Sequence, residues 1–281
     1  MHTQPILVIG KNGKTGARVE SRLTAKGLST RAVSRSTLPS FEWEDPDSWM
    51  PALSGTRAAY VTFQPDLAVP SAEATIRTFI QRAVEAGLEH VVLLSGRGED
   101  GALRAESILQ SSGLAWNVVR ASWFAQNFSE SFMLEGILSG HLALPAGPVL
   151  EPFIDVDDIA DVAVAALTRP DLRNRVFEVT GPRALTFAQC VEEISNAVGY
   201  RIEYSAISVD NFVGEMREQG APEDMQWLMR ELFSVVLDGR NSRVMDGVEE
   251  ALGRPATDFS SFIKKAITSG VWDRGAARQQ T

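Results

Sequence analysis

A short apolar run, Ile6-Leu7-Val8-Ile9, ends abruptly in Gly10, and the first half of the chain then alternates between two hydrophobic periods. Apolar residues at helical spacing predict a helix over 15–26, whereas near-continuous apolar runs predict strands at 29–33, 58–62 and 90–95. Between the last two strands, Ile76, Phe79, Ile80, Ala83 and Val84 share one helical face ahead of a stop at Gly87, so 69–86 is expected to be a crossover helix. Another helix over 103–112, ending at Gly113, precedes a strand at 116–119. Such strand–helix alternation implies an α/β fold with a doubly wound parallel sheet. After Ala121 the texture changes: Trp123, Phe124, Phe128 and Phe132 crowd together, and Pro145 to Pro152 is rich in Pro and Gly. The segment Asp155-Val156-Asp157-Asp158 reads as the capped start of a helix over 159–167, and 175–179 as a strand that returns to the sheet. Beyond Gly181 the pattern is mainly helical, with helices over 187–198, 209–219 and 223–237. The expected organisation is a sheet domain over 1–128, rejoined by 153–180, and a smaller, mainly helical C-terminal lobe over 181–281 with 129–152.

The junction after the first strand carries candidate chemistry. Gly10, Gly13 and Gly16 are spaced three apart between strand and helix, in Gly10-Lys11-Asn12-Gly13-Lys14-Thr15-Gly16. Gly10 permits the tight turn, Gly13 lets backbone approach a pyrophosphate, and Gly16 lets the helix pack closely on the strand, which defines a Rossmann-like dinucleotide grip. Free amides at the helix start favour the diphosphate. A triphosphate-binding loop is excluded, because Val8 stands where its first glycine would be. At the end of the second strand, Ser34-Arg35-Ser36 offers a guanidinium flanked by hydroxyls and no carboxylate. That favours the 2′-phosphate of NADP(H) over the ribose diol of NAD(H). The alternative is that Arg35 is a solvated loop residue.

Bulk properties narrow the class further. With 281 residues, 44% of them hydrophobic, the chain can bury a large core. A net charge of −9 and no basic run argue against nucleic acid as a partner. The lone Cys190 and three histidines imply no internal disulfide and no metal cluster, and a reducing, cytoplasmic setting is expected. The stretch before Gly10 is too short for a signal core or a membrane span, so a soluble protein without a membrane partner is expected. No apolar stripe indicates an oligomeric state.

Five stretches together resemble the NmrA-like atypical short-chain dehydrogenase/reductases, nearly end to end, and within them bacterial relatives of the fungal ergot-alkaloid reductases of the agroclavine dehydrogenase and festuclavine synthase type. They are the glycine loop, Phe41-Glu42-Trp43-Glu44-Asp45-Pro46, Leu93-Leu94-Ser95-Gly96-Arg97-Gly98, Ala121-Ser122-Trp123-Phe124-Ala125-Gln126-Asn127-Phe128, and Leu237-Asp238-Gly239-Arg240-Asn241. The resemblance implies a Rossmann domain, NADP(H), and reduction of a small iminium, quinone or enone-like substrate, in secondary metabolism or quinone detoxification. It also implies that the adenine end lies near Glu42, Trp43, Thr62, Phe63 and Gln64, that Ser95 and Gly96 pass beside the nicotinamide ribose, and that Ala121, Ser122 and Trp123 approach the nicotinamide. For Trp43 and Trp123 a place in the core is the competing reading.

The usual catalytic pair is missing from the sequence. Short-chain reductases place Tyr and Lys one helical turn apart so that the lysine lowers the tyrosine's pKa. Here Tyr60, Tyr200 and Tyr204 are followed one turn on by Gln64, Tyr204 and Ser208, and the helix after Ser95 has no tyrosine. Hydride transfer to an acceptor that is already electron-poor needs less acid help, so positioning can do most of the work. On that reading Trp123, Phe124, Phe128 and Phe132, with Ser122, wall a substrate pocket, roofed by 225–237; a hydrophobic core is the alternative. Ser122 and Glu106 are weak catalytic candidates, and Glu106 is equally explained by a solvated helix face. Asp155 and Asp158 are read as caps, His90 as structural, His141 as a remote candidate for proton relay, and Cys190 as core. The competing function is a non-catalytic redox sensor that binds NADP(H) without turning it over.

Overall fold

The computed structural model describes residues 4–274. In chain order its elements begin β1 (Ile6–Ile9), α1 (Lys14–Ala25), β2 (Thr30–Val33), α2 (Trp49–Leu53), β3 (Ala58–Val61), α3 (Ala72–Glu85), β4 (His90–Gly96), α4 (Asp100–Gln110) and β5 (Ala115–Ala121). They continue with α5 (Met133–Ser139), β6 (His141–Leu144), α6 (Val156–Thr168), β7 (Arg175–Val179), α7 (Phe187–Val198), β8 (Glu203–Ala206), α8 (Val209–Glu218), α9 (Glu223–Glu231), α10 (Gly247–Leu252) and α11 (Phe259–Thr268).

Two compact units emerge. Among the described residues, the first comprises 4–121, 156–179 and 246–254; the second comprises 122–155, 180–245 and 255–274. The segment 246–254, placed in the helical lobe by sequence, is grouped with the sheet: Gly247 packs so closely on the Glu178 backbone of β7 that a Cβ would collide with it. In the first unit six parallel strands run in the order β2-β1-β3-β4-β5-β7. Every residue of β1 and β3 is buried, as continuous apolar strands require when helices cover both faces of a parallel sheet. Helix α1 packs with α6 and α3 with α4. The chain steps outward from β1 to β2 and then returns to β3 on the other side of β1, which creates a topological switch point at their carboxyl ends.

The second unit has its own core, in which Phe128, Phe153, Phe187, Phe259 and Phe262 pack with Cys190 and Ile194. Its strands β6 and β8 form a two-stranded parallel sheet. Helix α7 starts with a capping box between Thr186 and Gln189 and stops at Gly199, whose φ of 76° a side chain would resist. Among the described residues no helix is long and apolar enough to cross a membrane.

Candidate functional site

The glycine loop is built at the switch point. Gly10 has φ +85°, and a Cβ there would press on the Thr62 hydroxyl after β3. A Cβ on Gly16 would collide with the Gly10 carbonyl, so only glycine lets α1 approach the end of β1 this closely. Gly13 caps α1 without a side-chain hydrogen bond, and its amide donates to the Gly10 carbonyl at 2.8 Å, which fixes the turn. The start of α1 therefore presents backbone amides rather than a capping side chain.

A cavity of about 440 Å³ opens beside this loop. Residues singled out from the sequence line it, among them Gly10, Asn12, Gly13, Ser34, Arg35, Ser36, Trp43, Thr62 and Gln64. The tip of β2 is held by short bonds: Asn12 donates to Ser34 Oγ at 3.3 Å, the Ser34 and Ser36 hydroxyls lie 3.1 Å apart, and the Ser34 amide donates to Thr37 Oγ1. Arg35 stands exposed among them with no ion pair to any described residue. Opposite, Trp43 is both wall and core. Its indole Nε1 donates to the Thr62 carbonyl at 3.1 Å, and its ring packs on Phe63 (4.8 Å), Phe41 and Phe79. The cavity also takes in Glu42 and Glu44 of the Phe41–Pro46 stretch, the latter not among the residues expected at the adenine end. A concave site with a glycine loop, uncapped helix amides and an unpaired guanidinium fits a dinucleotide.

Other expected residues fall elsewhere. Lys14 begins α1, while Thr15 and Gly16 are buried behind the loop, and Phe63 backs Trp43. Gly96 and Ala121 are paired at the ends of β4 and β5, and the Arg97 amide donates to the Ala121 carbonyl. Gly96 faces the Glu99 carboxyl so closely that a Cβ would collide with it.

Ser95 and Glu106 are committed to structure. Ser95 Oγ donates to Glu106 Oε1 at 2.6 Å, and Arg120 donates to both oxygens of the same carboxyl. Arg120 also reaches Glu178 on β7 at 2.7 Å. Glu106 is thus not a solvated helix-face residue: it is buried, and its oxygens accept from Ser95 and Arg120. The hydrogen bond to Glu106 raises the Arg120 pKa above its usual value, against the opposing effect of burial.

All three tyrosines are likewise engaged or enclosed. Tyr60 is fully buried on β3 near Thr15, and burial pushes its pKa up. Tyr200 donates to the Trp272 carbonyl and Tyr204 to that of Ala146. His90 is buried against Asn117, and burial lowers its pKa to about 4. His141 is exposed and pairs with Ser205 at 2.9 Å. Asp158 pairs with Arg254, and Asp155 accepts from Gln126 (2.7 Å) and Lys265 (3.0 Å), so both carboxylates, read as caps from the sequence, are engaged by basic side chains.

The second unit sorts the expected aromatic wall. Residues 123–125 are held by backbone bonds to Ile154, and Ser122 is buried beside them. Phe128 is core: it is fully buried between Phe153 and Phe259, and its carbonyl accepts from the Trp272 indole, so it is withdrawn from the wall. Phe124 is half-buried at the start of the short turn Ala125–Phe128. Trp123 is half-buried edge-on against Phe187, and Phe132 is 46% exposed next to Phe212. Phe212 and Phe233 continue the same aromatic surface and were not singled out from sequence; the run Leu232-Phe233-Ser234-Val235-Val236-Leu237, apolar at spacing no α-helix face explains, was the available signal.

No family model matches the chain. Among curated proteins it is 29% identical to an NAD(P)H azoreductase of Xenophilus azovorans, over 92% of this chain and 96% of that protein. It is 27% identical to agroclavine dehydrogenase of Claviceps fusiformis, over 95% of this chain and 98% of that one. Its fold matches an NADPH-dependent quinone oxidoreductase of Escherichia coli complexed with NADPH, with a TM-score of 0.78, 18% identity, and 93% and 99% of the two chains covered. The chain has a Rossmann-type α/β fold and is similar to atypical short-chain dehydrogenase/reductases. The curated proteins it is similar to include nicotinamide-dependent oxidoreductases and agroclavine dehydrogenase.

Proposed function

We propose that the protein is an NADPH-dependent reductase that delivers hydride to an electron-poor small molecule, an iminium, quinone or enone-like acceptor, without a Tyr/Lys pair. The observation that carries this reading is the unpaired Arg35 between two serine hydroxyls on the wall of a glycine-loop cavity. The kinship with an azoreductase and with agroclavine dehydrogenase supports the reaction class. Bound there, the reduced dinucleotide supplies the hydride. Gly10, Gly13 and Gly16 admit its diphosphate to the amides of α1, while Arg35, Ser34 and Ser36 hold the 2′-phosphate by charge-assisted hydrogen bonds. Trp43 would wall the adenine end. In the second unit Trp123 and Phe132 offer aromatic surface to a flat or cationic acceptor. Because Ser95, Glu106 and the tyrosines are tied up in the fold, the acceptor itself must accommodate charge after hydride arrives, as a quinone or iminium does.

The test is NADPH oxidation followed by absorbance against a panel of quinones and cyclic iminium compounds, repeated with NADH. Turnover of at least one acceptor, faster with NADPH at limiting cofactor, is expected. Tight NADPH binding with no turnover of any acceptor would instead make the protein a redox sensor.

A further inference from the structure

We infer that Glu42 and Glu44 act against Arg35 in the glycine-loop cavity and hold down its preference for a 2′-phosphate, so that NADH as well as NADPH serves as hydride donor; the inference rests on the reading above that this cavity receives the dinucleotide. Three charged side chains line the cavity: Arg35 at the tip of β2, and Glu42 and Glu44 on the strap 41–45 that follows it. One positive and two negative charges give the lining a net charge of −1. Among the described residues none of the three forms an ion pair, with one another or with any other side chain. The backbone of the strap is pinned. The Phe41 amide donates to the Ser34 carbonyl at 3.1 Å, the Glu42 amide donates to Ser48 Oγ at 3.0 Å, and the Glu42 carbonyl accepts from the Trp49 indole at 2.7 Å. With the Trp43 indole on the Thr62 carbonyl, the strap joins the tip of β2 to the end of β3. Its carboxylates can therefore avoid an entering anion only by rotating their own side chains, and Glu42 is half-buried.

A 2′-phosphate brings about two negative charges at neutral pH. A cavity of about 440 Å³ is about 10 Å across, no more than the Debye length in about 0.1 M salt, so charges on its wall act on a bound phosphate with little screening. Attraction by Arg35 and repulsion by Glu42 and Glu44 fall on the same group, and the cofactor preference is the difference between them. NADH lacks that phosphate, so it forgoes the attraction of Arg35 and escapes most of the repulsion. Arg35 alone would make the cavity strongly selective for the phosphorylated cofactor; the two carboxylates bring the pair of cofactors closer together.

The experiment measures Kd for NADPH and for NADH by quenching of tryptophan fluorescence, without any acceptor, in wild type, Glu42→Gln and Glu44→Gln, and reads the ratio of the two constants. Wild type is expected to bind NADPH less than about tenfold more tightly than NADH. Each substitution, which keeps the size of the side chain and removes its charge, is expected to raise that preference about threefold, almost wholly by tightening NADPH. Raising the salt from about 0.05 M to about 0.5 M should shrink both gains. If Glu42→Gln does not fold, Glu44→Gln, at an exposed position, decides alone. An unchanged preference, or one that falls because NADPH is held more weakly, overturns the inference and leaves the reductase reading standing. Binding that follows the expected ratios, with no turnover of any acceptor, overturns the reductase reading alone. Wild type that binds neither dinucleotide overturns both.

Discussion

On the proposed reading, Arg35 is the residue on which cofactor choice turns. Its guanidinium projects from the tip of β2 into the cavity wall without a protein partner, so the ion pair it can form with a 2′-phosphate is not offset by one it must give up. A hydrogen bond to a charged group contributes about 2 kcal/mol. Arg35→Ala is therefore expected to raise the KM for NADPH about thirtyfold while leaving that for NADH within about twofold; steady-state kinetics with both cofactors gives the answer, and an unchanged preference would remove Arg35 from the site. Tyr60 illustrates the opposite case, a buried hydroxyl near Thr15 with no well-formed hydrogen bond in the protein. Replacing it by Phe removes that unmet polar group, and urea unfolding should show Tyr60→Phe costing no more than about 0.5 kcal/mol. The place of Arg35 on the cavity wall was legible because a glycine loop fixes where the second strand must end. Phe128 was not, since an aromatic ring that lines a pocket and one that fills a core have the same sequence signature.

At the scale of elements, the Glu106–Arg120–Glu178 chain ties α4, β5 and β7 together, and through Ser95 it includes β4. The carboxyl of Glu106 is almost wholly buried and the Arg120 side chain is largely so. Removing one partner of such a pair leaves the other charge in a poorly solvated place, which costs several kcal/mol, here moderated because Glu178 remains. Glu106→Gln is expected to destabilise the sheet unit by about 3 kcal/mol, measured as a shift in the urea midpoint; a loss of turnover with no loss of stability would instead give Glu106 a chemical role. Nothing in the spacing of Glu106, Arg120 and Glu178 announces this network, because sheet register brings them together rather than helical periodicity. The parallel strands themselves were legible, since burial on both faces writes them as continuous apolar runs. Strands β6 and β8, four residues each and partly exposed, carry no such run. The helix read over 223–237 ends in α form at Glu231, because the π-helical turn Leu232–Val236 keeps an apolar texture while changing its period.

For the whole molecule, the same logic that made the sheet readable locates its weak point toward acid. His90 opens β4 with its ring buried on Asn117, whose side-chain amide donates to the carbonyls of Leu172 and Arg175, so a single polar knot joins β4, β5 and the approach to β7. Burial is the main cause of its lowered pKa; Arg173 and Arg57 add to the effect, and the bond to Asn117 opposes it. Because the folded-state pKa, about 4, lies below the ordinary 6.5, the unfolded chain takes up a proton first as pH falls. Stability linked to His90 is therefore fully present above about pH 6.5, declines through that window, and is lost by about pH 4. At about pH 5 the loss is about 2 kcal/mol. Carboxylates with lowered pKa values, such as Asp258 held at about 2 by Arg183, add their own losses only at lower pH. A His90→Gln variant keeps a neutral polar group against Asn117 and cannot titrate. Urea unfolding at about pH 7 and about pH 5 should then show wild type losing about 2 kcal/mol more than His90→Gln, and parallel losses would mean that His90 is charged in the folded protein.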